Sequence, residues 1–298
     1  MPSFCPRVKF VHMIRFFIII AIFTLLWTGS ASAGESAGLE RKVQTTFHAD
    51  LASQVNPEGL QLFVGGYRRW ISGMDQELGT PSSYLQTGMG LGASPAYAKA
   101  AIHGEWMPAI FAKVRLEYDF YRFFGDFGAL LSFPSADSPF GRREVKAMEG
   151  QEESAWGRRV LLQPTLYAKA GPVIISNQTD LAYYRFSGNG PYFLDWEYDT
   201  LLKDGDSVIA NRTQFLLKPW KRGQEAMLLV GPYYEVTRAH DADLTRQRLG
   251  GVLYWVPADK LGSFNRPRIY SQLGVNLQDR NRDNEMFFTI GVGFDYDL

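Results

Sequence analysis

From about residue 60 onward, apolar and polar side chains alternate in repeated segments of roughly ten residues. The C-terminus shows this most cleanly. Phe288, Ile290, Val292, Phe294, Tyr296 and Leu298 share one face, and Thr289, Gly291, Gly293, Asp295 and Asp297 share the other. Period-two alternation places successive side chains on opposite faces of a strand. The stretch 110–121 sharpens the contrast. Ile110, Ala112, Val114, Leu116, Tyr118 and Phe120 form an apolar face, while Lys113, Arg115, Glu117 and Asp119 fall consecutively on the opposite one. Four charges in a row are too costly for the dry core of a soluble sandwich. They fit a hydrated or salt-bridged barrel lumen, with the apolar face turned to lipid. A half-solvated sheet of a soluble periplasmic sandwich is the alternative left open.

Carried along the chain, the alternation predicts twelve strands: 60–71, 84–95, 97–107, 109–122, 127–134, 157–170, 172–186, 207–218, 225–238, 245–257, 267–278 and 286–298. The fold class is therefore all-β, a transmembrane antiparallel up-and-down β-barrel. Short turns at Ala170-Gly171-Pro172 and 221–224 alternate with longer connections at 72–83, 135–156, 187–206, 239–244 and 279–285. All the longer ones are expected on the outer side. Two connections fit less well: the outer one near Trp106-Met107-Pro108 is tight, and the inner one over 259–267 is long. Trp70, Tyr84, Trp106, Tyr118, Trp156, Tyr183, Trp220 and Trp255 are candidates for interfacial aromatic girdles.

Residues 34–59 are ambiguous. Val43, Thr45, Phe47, Ala49 and Leu51 alternate with polar partners, and Asn56-Pro57-Glu58-Gly59 suits a type I turn. An extra strand would break the even count, so 34–59 is read as an N-terminal periplasmic or lumenal segment and 60–298 as the barrel. Before it, Arg7, Lys9 and Arg15 precede the apolar run Phe16 to Trp27, which ends in small residues at Ala31-Ser32-Ala33. This is the three-part pattern of a cleaved secretory signal peptide over 1–33. A membrane anchor is the weaker alternative, since that run spans roughly 18 Å as a helix against a hydrocarbon core of roughly 30 Å.

Composition narrows the function. The 298 residues carry 31 basic and 31 acidic side chains, so no cationic excess is available for nucleic acid. The only cysteine, Cys5, lies in the leader, which excludes a disulfide framework and a cysteine metal site.

The leader, the cysteine-free remainder, the alternating strands and the amphipathic C-terminal strand resemble a Gram-negative outer-membrane β-barrel protein. The resemblance covers about residues 60–298 at the level of class, without a subfamily motif. Phe294 and Tyr296 match the aromatic alternation of that class, while Leu298 stands where phenylalanine is usual. The resemblance implies residence in the cell outer membrane, contact with its lipid, and delivery by periplasmic chaperones and the barrel assembly machinery.

Strand parity points Lys99, His103, Glu105, Lys113, Arg115, Glu117, Asp119, Arg159, Lys169, Asp180, Arg212 and Glu235 into the lumen. Opposed charges there could seal the barrel or line a polar path, and neither sign dominates. Loop 191–206 is unusual: Tyr192, Phe193, Trp196 and Tyr198 interleave with Asp195, Glu197 and Asp199. Aromatic faces beside carboxylates suit a sugar or a cation. The same residues could fold into the mouth and constrict it, which the cost of exposed aromatics favours.

His103 and Glu105 are the best catalytic candidates, yet no serine and asparagine follow a histidine as in barrel lipid hydrolases. No catalytic residue, cofactor or metal is expected. The alternate oxygens of Asp279-Arg280-Asn281-Arg282-Asp283 begin like a calcium loop, but Asn284 and Ile290 stand where glycine and glutamate are needed. The leading expectation is a passage for small polar solutes or a secreted polymer such as a polysaccharide. The alternatives are a closed barrel acting as a surface scaffold or ligand-binding protein and, third, an outer-membrane lipid hydrolase.

Overall fold

The computed structural model describes residues 42–55, 58–75, 80–125, 130–220 and 226–298. The expected leader lies outside them. Twelve long strands build the wall: β1 Lys42–Val55, β2 Gly59–Asp75, β3 Thr80–Ala93, β4 Tyr97–Ala109, β5 Ala112–Phe123 and β6 Trp156–Ala170. They continue with β7 Val173–Phe186, β8 Ser207–Trp220, β9 Met227–Ala239, β10 Leu244–Val256, β11 Phe264–Gln278 and β12 Met286–Asp297. Each pairs antiparallel with its sequence neighbours, and β1 closes the ring on β12 from Thr46↔Asp297 to Val55↔Phe288. Closure leaves no sheet edge, which hydrocarbon demands because it offers unpaired backbone groups no partner.

The alternation turns the usual inside–outside rule around. Outward side chains such as Ile102 and Leu166 are 59% and 58% exposed, whereas inward Lys99 and Asp119 are 8% and 0% exposed. An apolar exterior of this extent requires lipid to cover it. Trp70, Trp106, Tyr118, Trp156, Tyr183 and Trp255 lie on the outward parity. Tyr84 does not: it faces inward and its hydroxyl donates to Glu105 Oε1 at 2.5 Å. The side chain of Trp220 is outside the described residues.

A polar patch interrupts the apolar band on β7 and β8. Asn177 Nδ2 donates to Asn211 Oδ1 at 3.1 Å and to Thr213 Oγ1 at 2.8 Å, and Asn211 Nδ2 donates to Thr179 Oγ1 at 2.8 Å. Mutual bonding lowers the cost of placing these groups against lipid.

Two expected assignments require correction, and they compensate each other in the strand count. Residues 42–55 are not a free periplasmic or lumenal segment; they form β1, hydrogen-bonded on both sides. The described part of 127–134, residues 130–134, is not a wall strand. Within it only Ser132–Phe133 is a strand, paired with Tyr192–Asp195 in a small separate sheet. The physical reason is burial without alternation: Leu130, Leu131 and Phe133 are all enclosed, as in a loop core. The double exchange also reverses two connections. β2 ends and β3 begins, and β4 ends and β5 begins, at the same end as Gly171-Pro172, not at the end of the long loops. The tight connection near Pro108 is thus an ordinary short turn.

The long connections 124–155, 187–206, 240–243 and 279–285 share one end with the β1–β2 and β3–β4 turns. The first two turn inward. Ser132–Phe133, Tyr192–Asp195 and Thr200–Lys203 form a three-stranded sheet, and the short helix α1 (Arg142–Ala147) follows in the first loop. Their apolar residues Leu130, Leu131, Phe140, Phe193, Leu194, Leu201 and Leu202 pack with the inward faces of β6 to β10 near that end, including Tyr184, Phe186, Val208 and Ala239. This is the larger hydrophobic core among the described residues, enclosed in the barrel mouth.

Candidate functional site

The inward charges of β4, β5 and β6 meet the inturned loop. Arg159 Nε donates to Asp119 Oδ2 at 2.7 Å, and Arg159 Nη2 lies 3.2 Å from Glu117 Oε1. Its Nη1 bonds Glu197 on the loop. Lys99 Nζ reaches Glu197 Oε1 at 3.2 Å and Asp119 Oδ1 at 3.9 Å, while Tyr121 donates its hydroxyl proton to Glu197 at 2.9 Å. Below this cluster Arg115 bonds Glu117, and Lys113 Nζ lies 3.4 Å from Glu105 Oε2.

A second cluster sits across the lumen. Arg212 bonds Glu235, whose other oxygen accepts from Arg246 Nη2 at 2.9 Å. Asp199, buried on the loop, gathers Arg246 at 3.6 Å, Arg248 at 3.1 Å and Arg282 at 3.0 Å. Its φ of 48° is left-handed, a conformation aspartate tolerates better than branched residues do. Asp180 accepts from Gln163 at 2.8 Å and from the Tyr198 hydroxyl at 3.2 Å. Lys169 shares the inward parity but lies near the short-turn end with its side chain exposed.

Sequence reasoning missed the central acceptors of both clusters as site residues. Glu197 and Asp199 were visible only as loop carboxylates, and Arg246, Arg248 and Arg282 were not singled out. The arginines on β10 have the inward parity that would have found them. No local pattern marks which lumenal cations a loop carboxylate will meet.

Among the five loop residues, Phe193 is fully enclosed, its ring 5.4 Å from that of Phe186 and tilted by 48° to it. Tyr198 meets Tyr184 edge-on at 6.3 Å. Tyr192 and Trp196 pack on the same core, half-buried. Asp195 Oδ2 accepts the Tyr198 backbone N–H at 2.8 Å. Burial, reinforced by the neighbouring Glu197 charge, pushes the Asp195 carboxyl up to about 7. Glu197 is opposed by burial too, but Arg159 and Lys99 outweigh it and hold the group well below the usual carboxylate range. Asp206, wholly buried, accepts the Ser207 and Asp241 backbone N–H groups at 2.7 and 2.8 Å, tying the second loop to the 240–243 turn.

The opposite part of the wall is open at the mouth. A cavity of about 1690 Å³ lies between the inturned loops and β1 to β4, reached by Gln54, Gln61, Ser94, Lys99, Trp196 and Thr289. Below it the inward positions on β2, β3 and β12 include six glycines: Gly65, Gly88, Gly90, Gly92, Gly291 and Gly293. Side-chain rings occupy the space over most of them, and the Asp50 carboxylate occupies it over Gly293. A Cβ on Gly90 would stand 2.3 Å from Phe63 Cζ, and one on Gly291 would stand 2.1 Å from Tyr270 Cζ. The glycines therefore let lumenal aromatics fold back against the wall and away from the axis.

At the seam, Arg268 on β11 reaches across β12. It donates from Nη2 to both Asp50 oxygens at 2.7 Å and from Nη1 to Asp295 Oδ1 at 2.8 Å. His103 Nε2 is 3.4 Å from Gln86 Nε2, and no serine or threonine hydroxyl bonds it among the described residues. Asp279 Oδ1 accepts the backbone N–H groups of Asn281 and Arg282 at 2.8 and 3.0 Å, so that carboxylate shapes its loop. Among the described residues no three His, Cys, Asp or Glu side chains converge as a metal-binding group.

A closed antiparallel ladder with an apolar exterior and an ionic lumen decides the class. The molecule is an outer-membrane β-barrel. No family model matches the chain, and no curated protein matches it. Among solved structures, the barrel is similar to the β domain of the Bordetella autotransporter BrkA, at 11% identity and a TM-score of 0.41 over 85% of this chain and 98% of that one. It is similar to an outer membrane channel from Pseudomonas putida F1 at 9% identity and a TM-score of 0.40, over 90% and 100% of the two chains. The KdgM porin, solved in complex with disordered oligogalacturonate, gives 7% identity and a TM-score of 0.38 over 85% and 99%.

Proposed function

We propose that this barrel is a narrow, loop-constricted passage for small polar solutes across the outer membrane, running along β12 and β1 to β4. The observation that carries the reading is the asymmetry of the lumen. The loop sheet and most of the ion pairs fill the side of β5 to β10, whereas the other side, apart from the Arg268 bridge, combines the mouth cavity with a wall of glycines that aromatic rings pack against. Tyr192, Phe193, Asp195, Trp196 and Tyr198 set the constriction, and the inward charges from Lys99 to Asp119 set the polarity of its edge. Both signs occur there, so ion preference is weak. Polysaccharide is a solute the same polar, aromatic-flanked lumen would accept in extended form. Periplasmic chaperones and the assembly machinery would deliver such a barrel, with β12 as the strand presented to them.

The extent of lumenal charge pairing favours a second reading, a sealed barrel serving as a surface scaffold. Single-channel recording of the full chain refolded into a planar bilayer separates the two. Discrete, reproducible current steps support the passage, and Arg115→Glu or Glu117→Lys should then shift its ion preference. Silence from folded, inserted protein overturns it in favour of the scaffold. Neither reading includes a catalytic step.

A further inference from the structure

Three arginines cross adjacent strands on the lipid-facing side. Arg122 on β5, Arg158 on β6 and Arg185 on β7 all have the outward parity. Phe120 and Arg122 pair with Arg158 and Trp156 in turn, so Arg122 and Arg158 are diagonal neighbours. Arg158 stands directly opposite Arg185. Like charges placed opposite each other across an antiparallel pair destabilise it. Here a third guanidinium is added beside them.

The acidic groups nearby do not balance the row. Arg185 Nε donates to Asp204 at 2.9 Å. Arg122 bonds the Ser154 hydroxyl at 2.8 Å and lies 4.6 Å from the Trp156 ring centroid, which leaves its charge uncancelled. Glu153 is turned into the loop core, onto Ser132 and the Asn189 N–H. The Arg158 guanidinium, exposed, has no ion pair or hydrogen-bond partner among the described residues.

Height along the wall identifies the surroundings. Beneath Arg158 the outward residues of β6 are Val160, Leu162, Pro164 and Leu166; beneath Arg185 on β7 come Tyr183 and Leu181; beneath Arg122 on β5 come Phe120, Tyr118 and Leu116. All three arginines therefore lie at the long-loop margin of the apolar band, level with or next to the exposed rings of Trp156 and Phe124, where acyl chains give way to headgroups. Guanidinium forks match phosphate oxygens in pairs and bind them more strongly than neutral donors do.

We propose that Arg122, Arg158 and Arg185 form a binding site for the phosphate-bearing headgroup of an outer-leaflet lipid. The phosphate sits between the opposed Arg158 and Arg185 and neutralises their repulsion. Arg122, braced by Trp156, closes the third side, and the acyl chains lie down the band beneath.

The test uses the full chain, refolded in zwitterionic detergent, with bound lipid read by native mass spectrometry. The probes are lipid A, with two phosphates, and phosphatidylcholine. Wild type should retain lipid A over phosphatidylcholine by about tenfold, and the pair Arg122→Ser, Arg158→Ser should erase that preference. Arg238→Ser, which removes an outward arginine outside the row, should retain it and controls for folding. Equal retention of the two lipids by wild type, or an unchanged preference in the double variant, overturns the site. Displacement of lipid A by millimolar inorganic phosphate alone overturns the lipid assignment in favour of a free-anion site.

Discussion

Lys99, on the fourth wall strand, holds Glu197, on the inturned loop, at 3.2 Å across 98 residues of sequence. Arg159 bonds the other oxygen of the same carboxylate. One loop side chain is thereby fixed between two neighbouring regions of wall, and the apolar core above it packs in a defined place. The link joins sequence parity, which turns Lys99 and Arg159 inward, to the constriction that narrows the barrel.

Replacing that carboxylate should loosen the loop without dissolving the barrel. In Glu197→Gln, Arg159 keeps Asp119 and Glu117, but Lys99 retains only the longer contact with Asp119. Removing one charged partner from a buried cluster costs about 1–3 kcal/mol. Urea unfolding of the refolded protein should show that loss. Under the passage reading, single-channel current should rise in amplitude or begin to flicker. An unchanged midpoint and unchanged current would show that the loop is held by its apolar core alone.

Acidity should act on the same loop in two directions. Asp195 binds its proton more tightly in the docked loop, with a pKa near 7, than in a released one, with a pKa of about 4. Across that window the docked state carries more protons, so raising the pH weakens docking, and the effect levels off above 7. Glu197 has the opposite sign. Its lowered pKa gives a contribution that is present above the ordinary carboxylate range and is lost as the pH falls toward its depressed value. Limited proteolysis in the 187–206 loop should therefore be faster at pH 8 than at pH 5 to 6. Asp195→Asn should abolish that difference.

The wall was legible because lipid and lumen impose a strict period of two, and the C-terminal strand and 110–121 show it without interruption. Eleven of the wall strands overlap predicted segments for that reason. The twelfth, β1, carries the same alternation through Val43, Phe47 and Leu51, but an even count had already been reached using 127–134. Consecutive apolar residues in that second segment belong to a core folded into the mouth, a tertiary fact with no local period. The inward charges could be placed by parity, yet their partners could not: Asp199 meets arginines of β10 and of the 279–285 loop, distant in sequence.

The status of β1 has a direct consequence. Its two ladders and the Arg268–Asp50 bridge make it the closing strand, so removing residues 34–55 would expose the edges of both β2 and β12. In hydrocarbon an open edge leaves several backbone groups without partners at several kcal/mol each, on the order of the whole stability of a domain. The truncated chain should fail to give an SDS-resistant band on unheated gels, whereas Asp50→Asn should fold with a lowered midpoint. A resistant, compact truncated species would show that β1 is dispensable to the barrel.

The glycine wall offers the most specific test of where a path runs. Phe63 Cζ occupies the space a side chain at position 90 would need, and the nearest atoms there all belong to the flexible Phe63 ring. In Gly90→Val the ring must swing off the wall and toward the axis, beneath the mouth cavity. Overpacking of this kind costs about 1–3 kcal/mol, which a barrel of this size should survive. Single-channel current should fall severalfold if solute passes along β1 to β4. Adding Phe63→Ala removes the displaced ring, so the double variant should recover most of the current while Phe63→Ala alone raises it. That non-additivity ties the effect to one contact. If Gly90→Val leaves the current of a folded, conducting barrel untouched, the path lies elsewhere in the lumen, and the small inward residues of this wall serve only to let rings pack.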